Sequence, residues 1–360
     1  EYELYLSEKR MEDGYDVESL YANDKIIKYE GNEIGNGINE ICKSIKKGDE
    51  KKFEIIKGKI YYVSQEKKVI PIAAGLGFSI NPYEITDLGV LKSSSMNLYL
   101  VDNNGHLDLS EYEGKITTIE AGAFSKVEIE NGINSLSSIV LPKGITTIGD
   151  DAFSYNTNLT SIKIPNTVTS IGKRAFRGCT NLTSIEIPDS VTSIGDYCFS
   201  GCNNLQNIKL SKKIQTINQR LLQGCTSLNE IEIPEGVKTI GYAAFISCNK
   251  LTTITLPASL TSFNGTALAG LSRLTEVKVA DGNKNFKFEN GMLLSKDGKT
   301  MYMALLTLAE INVPNGVVNI VGDTLSGSSA TKIILPDTVG SNLSGTVFNG
   351  MNKLKTIEVG

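Results

Sequence analysis

Cysteine is the residue type in this chain whose spacing most suggests chemistry. Four cysteines stand 23 residues apart, at Cys179, Cys202, Cys225 and Cys248. A structural zinc site usually groups its cysteines about two to four residues apart and often adds histidine, whereas this chain has one histidine, His106. We therefore predict no metal site. We interpret the four cysteines as small buried apolar side chains, with disulfides between neighbouring repeats as an alternative.

A set of lysines and glutamates follows the same interval. It consists of Lys163, Glu186, Lys209 and Glu232, followed two intervals later by Lys278. Acid–base catalysis by carboxylates needs two acids close together, but the neighbour of each glutamate in this set is a lysine. We expect opposite charges to face each other on an exposed surface. There they either fix register and solubility or form a polar groove that binds a protein or glycan, which makes these five residues the candidate binding residues.

Catalytic residues of other kinds are not recognisable in the chain. His106 follows Gly105 in what we predict to be a surface loop, and a single imidazole there is more typical of a surface residue than of a catalytic base. No phosphate-binding loop, metalloprotease motif or nucleophile elbow occurs. We therefore expect a protein without catalytic residues, cofactor or metal.

Charge and hydropathy argue against two classes of partner. The formal net charge is −4, whereas nucleic-acid-binding proteins carry a surplus of basic residues. No apolar run approaches the ~18 residues of a transmembrane helix, so we expect no membrane span. The chain begins at Glu1, and we interpret it as a mature form from which an export signal or anchor was removed.

The fixed interval extends to proline and phenylalanine. Prolines stand at 142, 165, 188, 234 and 257 and phenylalanines at 153, 176, 199 and 245, so every gap is 23 residues or twice that number. Ser211 occupies the missing proline position, and Leu222 and Leu268 continue the phenylalanine column. A constant period of this length indicates a solenoid, in which each repeat forms one coil stacked on the previous one.

The coil sequence resembles that of leucine-rich repeat proteins. Their L-x-x-L-x-L pattern appears here as Leu182-Thr-Ser-Ile185-Glu-Ile187. The run IPNTVTSIGKRAFRGCTNLTSIEIP, residues 164–188, follows the pattern IP-x-x-VTSIG-x-x-AF-x-GC-x-NL and resembles the BspA-like repeats of bacterial cell-surface proteins. The resemblance covers residues 107–360. It implies an exported, surface-displayed protein that contacts extracellular macromolecules.

Each coil is predicted to contain two short strands and one turn. Leu182, Ile185 and Ile187 point inward, so that stacked coils form a parallel sheet with the intervening side chains outward. Residues 191–194 form a second strand, and residues 196–201 form one helical turn that places Phe199 in the core. The predicted fold class is therefore an α/β repeat solenoid with a period of about 23 residues, parallel strands and short helical turns.

Residues 1–105 do not repeat and are predicted to form a small α+β domain before the solenoid at 106–360. Helices are predicted at 1–21 and 37–47, and strands at 53–63, 69–74 and 98–101. A helix followed by a sheet is loosely similar to the globular head of a pilin-like protein.

An insertion interrupts the later repeats. Residues 281–305 are too long for one coil, and Asn290-Gly291 and Asp297-Gly298 are hairpin turn signals. We predict a β-hairpin near 283–305 that projects from the stack, as an insertion of the same type does in BspA-like proteins. Its apolar residues either cover the core or form an exposed ridge for a partner.

Two functions remain in view at this point. The first is an exported, non-catalytic protein of the bacterial cell surface whose solenoid binds an extracellular protein or glycan, as in adhesion. The second is a structural spacer or assembly subunit, in which a pilin-like N-terminal domain carries the interaction.

Overall fold

A computed structural model gives the architecture of the chain. It describes residues 105–114, 116–125, 136–340, 343 and 345–360, together with the backbone of short strands before residue 92. The repeats form a solenoid of about ten coils with a period of about 23 residues and parallel strands. The predicted repeat fold is therefore confirmed.

The short strands of the N-terminal region form antiparallel sheets. One sheet contains Leu4–Tyr5, Ser19–Ala22 and Lys25–Lys28, and another contains Lys52–Ile56, Lys59–Val63 and Val69–Pro71. The helix predicted at 1–21 is wrong at both ends, because residues 4–5 pair with residues 21–22 as strands. The helix predicted at 37–47 and the strand at 98–101 lie outside the described residues, and the domain boundary at 105 stays a prediction.

The main strands arise from alternating inward aliphatic and outward polar residues. Ile185 and Ile187 are buried, whereas Ser184 and Glu186 are exposed. Strands of successive coils pair in parallel, position for position, as Glu186 does with Lys209. The main strands are His106–Asp108, Ser138–Val140, Ser161–Ile162, Ser184–Glu186, Asn207–Lys209, Thr253–Leu256, Glu276–Val279, Glu310–Asn312, Lys332–Leu335 and Thr356–Val359.

The second strands are shorter and follow the proline corner. From residue 118 onwards, each carries one inward aliphatic or aromatic residue after a threonine, serine or asparagine, as Ser193 and Ile194 illustrate. The strand at 90–91 pairs with the strand at 118–119, so this sheet extends to the N-terminal side of residue 106. The second strands are Val90–Leu91, Thr118–Ile119, Thr147–Ile148, Ser170–Ile171, Ser193–Ile194, Thr216–Ile217, Thr239–Ile240, Ser262–Phe263 and Asn319–Ile320.

A tight turn closes each coil between its second strand and the next main strand. In the turn that contains Phe199, the Ser200 N–H donates to the Tyr197 carbonyl at 3.0 Å and the Cys202 N–H donates to the Phe199 carbonyl at 3.2 Å. These i→i+3 bonds are those of a single 3₁₀ turn. Complete 3₁₀ helices lie at Ser110–Tyr112, Gly265–Leu268 and Asp337–Val339.

Aromatic rings form a continuous column inside the stack. Phe124, Phe153, Phe176 and Phe199 are fully buried, and successive ring centroids lie 5.4, 5.3 and 5.5 Å apart with interplanar angles of 9°, 11° and 3°. The spacing of stacked coils imposes this near-parallel contact, since strands in a sheet lie ~4.8 Å apart. Leu222, also fully buried, continues the column as predicted.

The insertion is built into the stack and does not project from it. Strands Phe286–Glu289, Met292–Ser295 and Thr300–Ala304 are antiparallel, and the last pairs in parallel with Asn319–Ile320. The apolar residues Phe286, Met292, Leu293, Leu294, Met301 and Met303 are buried. The hairpin predicted near 283–305 is therefore present, but the prediction that it projects is wrong. Of the two alternatives for its apolar residues, the one in which they cover the core is correct.

Alternate residues of one inserted strand face two different parts of the core. Leu293 packs with the core that begins at Leu107, whereas Met292 and Leu294 pack with the core that extends to Met351. The period of two along a strand produces this division. The inserted strand therefore joins the two parts.

Asn156 replaces cysteine at the one irregular step among the early coils. Twenty-nine residues separate Phe124 from Phe153, and Asn156 stands one period before Cys179. The Asn156 side chain is 1% exposed. Its Nδ2 donates to the carbonyls of Phe124 at 2.7 Å and Phe153 at 2.9 Å, and its Oδ1 accepts from the Leu136 N–H at 3.0 Å. The amide thus satisfies backbone groups that the longer coil leaves without ladder partners.

We predict that Asn156→Ala will lower the free energy of unfolding by about 2–4 kcal/mol, because the Leu136 N–H and the Phe124 carbonyl then remain buried without partners. Cys179→Ala, in the same column, loses only a weak thiol hydrogen bond and a small volume, and should cost about 1 kcal/mol. Urea unfolding followed by circular dichroism measures both. Equal costs for the two variants would contradict this role of Asn156.

Candidate functional site

The five predicted binding residues lie on one exposed surface of the main sheet. We call the column to which they belong the outer ladder, and it consists of Val140, Lys163, Glu186, Lys209, Glu232, Thr255 and Lys278, all exposed. Glu186 stands opposite Lys209, and Thr255 stands opposite both Glu232 and Lys278. Each pair belongs to neighbouring coils ~4.8 Å apart. The spacing predicted from the repeat period is therefore observed.

Only part of the expected charge alternation forms ion pairs. The Lys209 Nζ lies 2.6 Å from the Glu186 Oε1, and this hydrogen bond together with the carboxylate charge raises the pKa of Lys209 above its ordinary value. Lys278 instead contacts Glu276 on its own strand, at 3.6 Å. Within the described residues, Lys163 and Glu232 form no ion pair. Within the outer ladder, the expected juxtaposition of opposite charges therefore produces an ion pair between Glu186 and Lys209.

The strand boundaries explain why Lys163 is left out. The strand Ser161–Ile162 ends one residue before Lys163, and it pairs only with the preceding coil. Glu186 lies inside the strand Ser184–Glu186, which pairs only with the following coil. The Glu186 side chain is therefore directed to Lys209, and the Lys163 ammonium faces solvent.

A recess of about 790 Å³ opens beside this part of the ladder. Three predicted residues line it, namely Lys163, Glu186 and Lys209. Four residues that the sequence did not single out complete its polar lining, namely Asn166, Asp189, Ser190 and Lys213. Glu232 and Lys278 do not contribute to it. The structure thus brings together three of the five predicted residues and separates the other two.

The polar atoms of the recess differ in how well they are paired. The Asp189 Oδ1 accepts a hydrogen bond from the Lys212 N–H at 2.8 Å. The Ser190 Oγ is buried without a hydrogen-bond partner. Lys163 and Lys213 form no ion pair with a described residue, whereas Glu186 is occupied by Lys209. The recess therefore presents free ammonium groups around an apolar floor of Ile164, Ile187 and Pro188.

Two of the four missed residues share a position in the repeat that the sequence could have indicated. Asn166 and Asp189 are one period apart and directly follow a proline. A proline fixes its own φ and turns the chain sharply, so the residue after it lies beside the end of the main strand. A polar residue directly after the proline was therefore the sequence signal that could have predicted Asn166 and Asp189.

His106 is not in a loop, contrary to the prediction. It begins a main strand, because residues 106–108 pair with residues 138–140 of the next coil. Its Nδ1 lies 2.7 Å from the Ser138 Oγ. The imidazole is thus half-buried within the sheet edge.

The cysteine column has the buried, apolar environment that was predicted for it. All four members and Cys198 are free and fully buried. Each member of the column donates its thiol to a carbonyl 26 residues earlier, as Cys179 does to Phe153 at 3.2 Å. Burial raises the pKa of the Cys179 and Cys248 thiols to about 12. These cysteines therefore stay protonated and act as packing residues.

Two other features are absent from the part of the chain that the structure describes. It contains no group of three or more histidine, cysteine and acidic side chains arranged to hold a metal ion. It also contains no helix that is both long and apolar enough to cross a membrane.

The repeats match a known family of sequences. The family model described as "BspA type Leucine rich repeat region" matches six copies, over residues 117–228, 169–292 and 298–360. The chain belongs to this family. BspA-type repeats therefore account for the columns of proline, phenylalanine and cysteine described above.

Two solved structures of other proteins have a similar fold. A leucine-rich repeat protein from Bacteroides ovatus is 21% identical with a TM-score of 0.52, and the match covers 86% of this chain and 75% of that one. The pneumococcal vaccine antigen PcpA is 18% identical with a TM-score of 0.50, covering 83% of this chain and 69% of that one. At these identities the likeness shows the fold alone. No curated protein matches the chain significantly.

We predict that the buried cysteines make the solenoid sensitive to alkaline pH. A folded thiol with a pKa of about 12 keeps its proton when the unfolded thiol, with an ordinary pKa near 9.0, has lost it. Their contribution to stability is therefore complete below about pH 9 and is lost progressively as the pH rises towards 12.

Chemical denaturation at pH 7.5 and pH 10 tests this prediction, with Cys179→Ala/Cys248→Ala as the matched variant. The variant should lose less stability than the parent protein between the two pH values. Iodoacetamide at neutral pH should label these two cysteines only after unfolding, as measured by peptide mass spectrometry. Rapid labelling of the native protein would refute the assignment as packing residues.

Proposed function

We propose that this BspA-type repeat protein is an exported protein of the bacterial cell surface, that it binds an extracellular protein or glycan through the outer ladder, and that it catalyses no reaction. The recess beside Lys163, Glu186 and Lys209 is the observation that carries this proposal. It is the place where predicted binding residues, free cationic groups and a concave surface coincide.

The solenoid presents this surface without having to reorganise. Each ladder residue belongs to a backbone that is hydrogen-bonded to its neighbouring coils, and the side chains beneath it are buried. Binding then costs mainly the ordering of exposed lysine and glutamate side chains, which is less than the ordering of a loop. Extended surfaces of this type are how repeat proteins commonly bind macromolecules.

The charge arrangement favours a partner with a carboxylate or another acidic group. Lys163 and Lys213 offer donors that the chain itself does not use, and the Ser190 hydroxyl lies nearby at the wall of the recess. The net charge of −4 disfavours a densely charged polyanion. An acidic segment of a protein, or an acidic sugar in a glycan, fits these groups.

The comparisons support the proposed location and class. The matching family model describes repeats of the BspA type. Residues 164–188 resemble such repeats of bacterial cell-surface proteins through the pattern IP-x-x-VTSIG-x-x-AF-x-GC-x-NL. One structure with a similar fold is that of a vaccine antigen from pneumococcus. A repeat protein of this fold generally serves interaction, which agrees with the absence of a recognisable catalytic set from the sequence.

We predict that Lys163→Glu/Lys213→Glu will weaken binding to the partner at least tenfold, because two cationic groups of the recess become anionic. Arrays of extracellular matrix proteins and glycans identify the partner, and surface plasmon resonance measures the dissociation constant. Most of the loss at low salt should come from slower association. The matched control is Lys250→Glu, an exposed lysine that does not line the recess.

The exchange Glu186→Lys/Lys209→Glu separates binding from stability. It preserves the net charge and the ion pair, whose side chains are 67% and 66% exposed, so the free energy of unfolding should change by less than ~0.5 kcal/mol. It reverses the local polarity of the recess and should change affinity. The proposal would be contradicted if Lys163→Glu/Lys213→Glu and Glu186→Lys/Lys209→Glu both left the affinity unaltered, or if no array component bound saturably. Either result would favour a structural spacer as the function of the solenoid.

A further inference from the structure

Tyrosine and arginine side chains cluster on the turns, on a surface distinct from the outer ladder. We call Tyr155, Arg177, Tyr197, Arg220 and Tyr242 the turn-face cluster. Tyr155 and Tyr242 are each 42% exposed, although both are large apolar rings. The guanidinium of Arg177 lies 5.4 Å from the ring centre of Tyr155, and that of Arg220 lies 5.4 Å from Tyr197 and 5.3 Å from Tyr242. One arginine is therefore held between two rings.

Neither arginine in these contacts is neutralised by an acid. Each contact places the guanidinium carbon over the face of a tyrosine ring. Among the described residues, no acid forms an ion pair with Arg177 or Arg220. The Nε of Arg220 is buried and has no hydrogen-bond partner. Arg220 thus carries a charge that the described part of the chain does not pair with an acid.

An earlier coil shows what satisfies an arginine at this position. Arg174 stands two periods before Arg220, and its Nε and Nη2 donate to the Asp151 carboxylate at 2.8–3.1 Å. Asp151 occupies the same column one coil earlier. In that place Arg220 has Tyr197, whose ring lies against its guanidinium, and Ala243 follows in the column. Arg174 therefore has a carboxylate supplied by the chain, whereas Arg220 has an aromatic ring at the equivalent position.

The five residues of this column, one in each coil, share a left-handed backbone conformation. Asp151, Arg174, Tyr197, Arg220 and Ala243 have φ values of 54°, 57°, 59°, 52° and 52°. This left-handed conformation is unfavourable for side chains larger than asparagine. A second left-handed column, four residues later, uses glycine at 178, 201 and 224. Large side chains at the first column therefore occupy a conformation in which glycine would be less strained.

We propose that the turn-face cluster is a second binding surface, and that it takes a protein segment whose acidic side chain is flanked by apolar or aromatic residues. The carboxylate pairs with the guanidinium of Arg220, and the flanking residues cover the exposed tyrosine rings. Tyrosine and arginine are the residues most enriched at the centres of protein interfaces. The stacked guanidinium is already ordered, so that little side-chain freedom is lost on binding.

The charges around the cluster favour such a segment over a sulfated glycan. Asp150, Asp151 and Asp196 lie on the same turns, and the Asp150 carboxylate accepts the backbone N–H of Lys173 at 2.7 Å. A chain of closely spaced sulfates would meet these acids as well as the arginines. A single carboxylate with apolar neighbours meets the unpaired guanidinium of Arg220 and the exposed rings.

Peptide selection on the intact protein tests this proposal. A random peptide library displayed on phage is selected against the chain, and the most enriched sequence is synthesised and measured by fluorescence anisotropy. We expect enrichment of aspartate or glutamate next to apolar residues. Arg220→Gln should raise the dissociation constant of that peptide at least tenfold, and Arg273→Gln, a matched control at an exposed arginine away from the cluster, should leave it unchanged.

Three further measurements make the result decisive. Tyr242→Ser, at an exposed ring, should weaken binding even if Arg220→Gln fails to fold, and Lys163→Glu/Lys213→Glu should have no effect, since the recess is a separate surface. Selected peptides without acidic residues, or equal affinity for the parent and the cluster variants, would overturn the proposal. Binding of heparin that depends on Arg220, with no acidic peptide enriched, would also overturn it and assign the surface to a glycan.

Discussion

Hydrogen bonding between successive coils is the constraint on which the rest of this structure depends. The backbone of each coil bonds to the corresponding position of the next, as Ile185 pairs with Ile208 and Glu186 with Lys209. A side chain that points inward must therefore fit against its own equivalents ~4.8 Å away. The phenylalanine column and the cysteine column are consequences of that requirement, and so is the exposure of the outer ladder.

Buried polar side chains appear where the repetition fails. Asn156 bridges the long early coil. Ser211, where proline is missing, is fully buried and donates to the Val191 carbonyl at 2.6 Å while accepting from the Lys213 N–H at 3.1 Å. Asn283, before the insertion, donates to the Pro257 carbonyl and accepts from the Phe286 N–H. Each substitutes a side chain for a lost ladder bond, as buried backbone groups require.

The inward residues could be predicted well from the sequence, because the positions that recur with the period are also the positions that are buried. Ile185, Phe199 and Cys202 could be assigned from one coil and carried to the others. Exposed pairs were less predictable, because ion pairs form within a strand as well as between coils. Lys278 contacts Glu276 on its own strand, and Thr255 separates it from Glu232. Turn signals around Asn290 predicted local pairing but not which face of the insertion would be buried.

The candidate sites depended on shape and on contacts between different columns. The recess exists because the chain turns at Pro188 beside Lys163 and Glu186, and no repeat pattern encodes that concavity. Arg220 meets Tyr242 from a neighbouring column, so the pattern within a single column does not pair them.

The division of the core at the inserted strand affects the cooperativity of unfolding. Each coil of a solenoid contacts mainly its neighbouring coils. The buried residues form two clusters that meet at the inserted strand containing Leu293. The solenoid therefore comprises two units that can unfold one after the other.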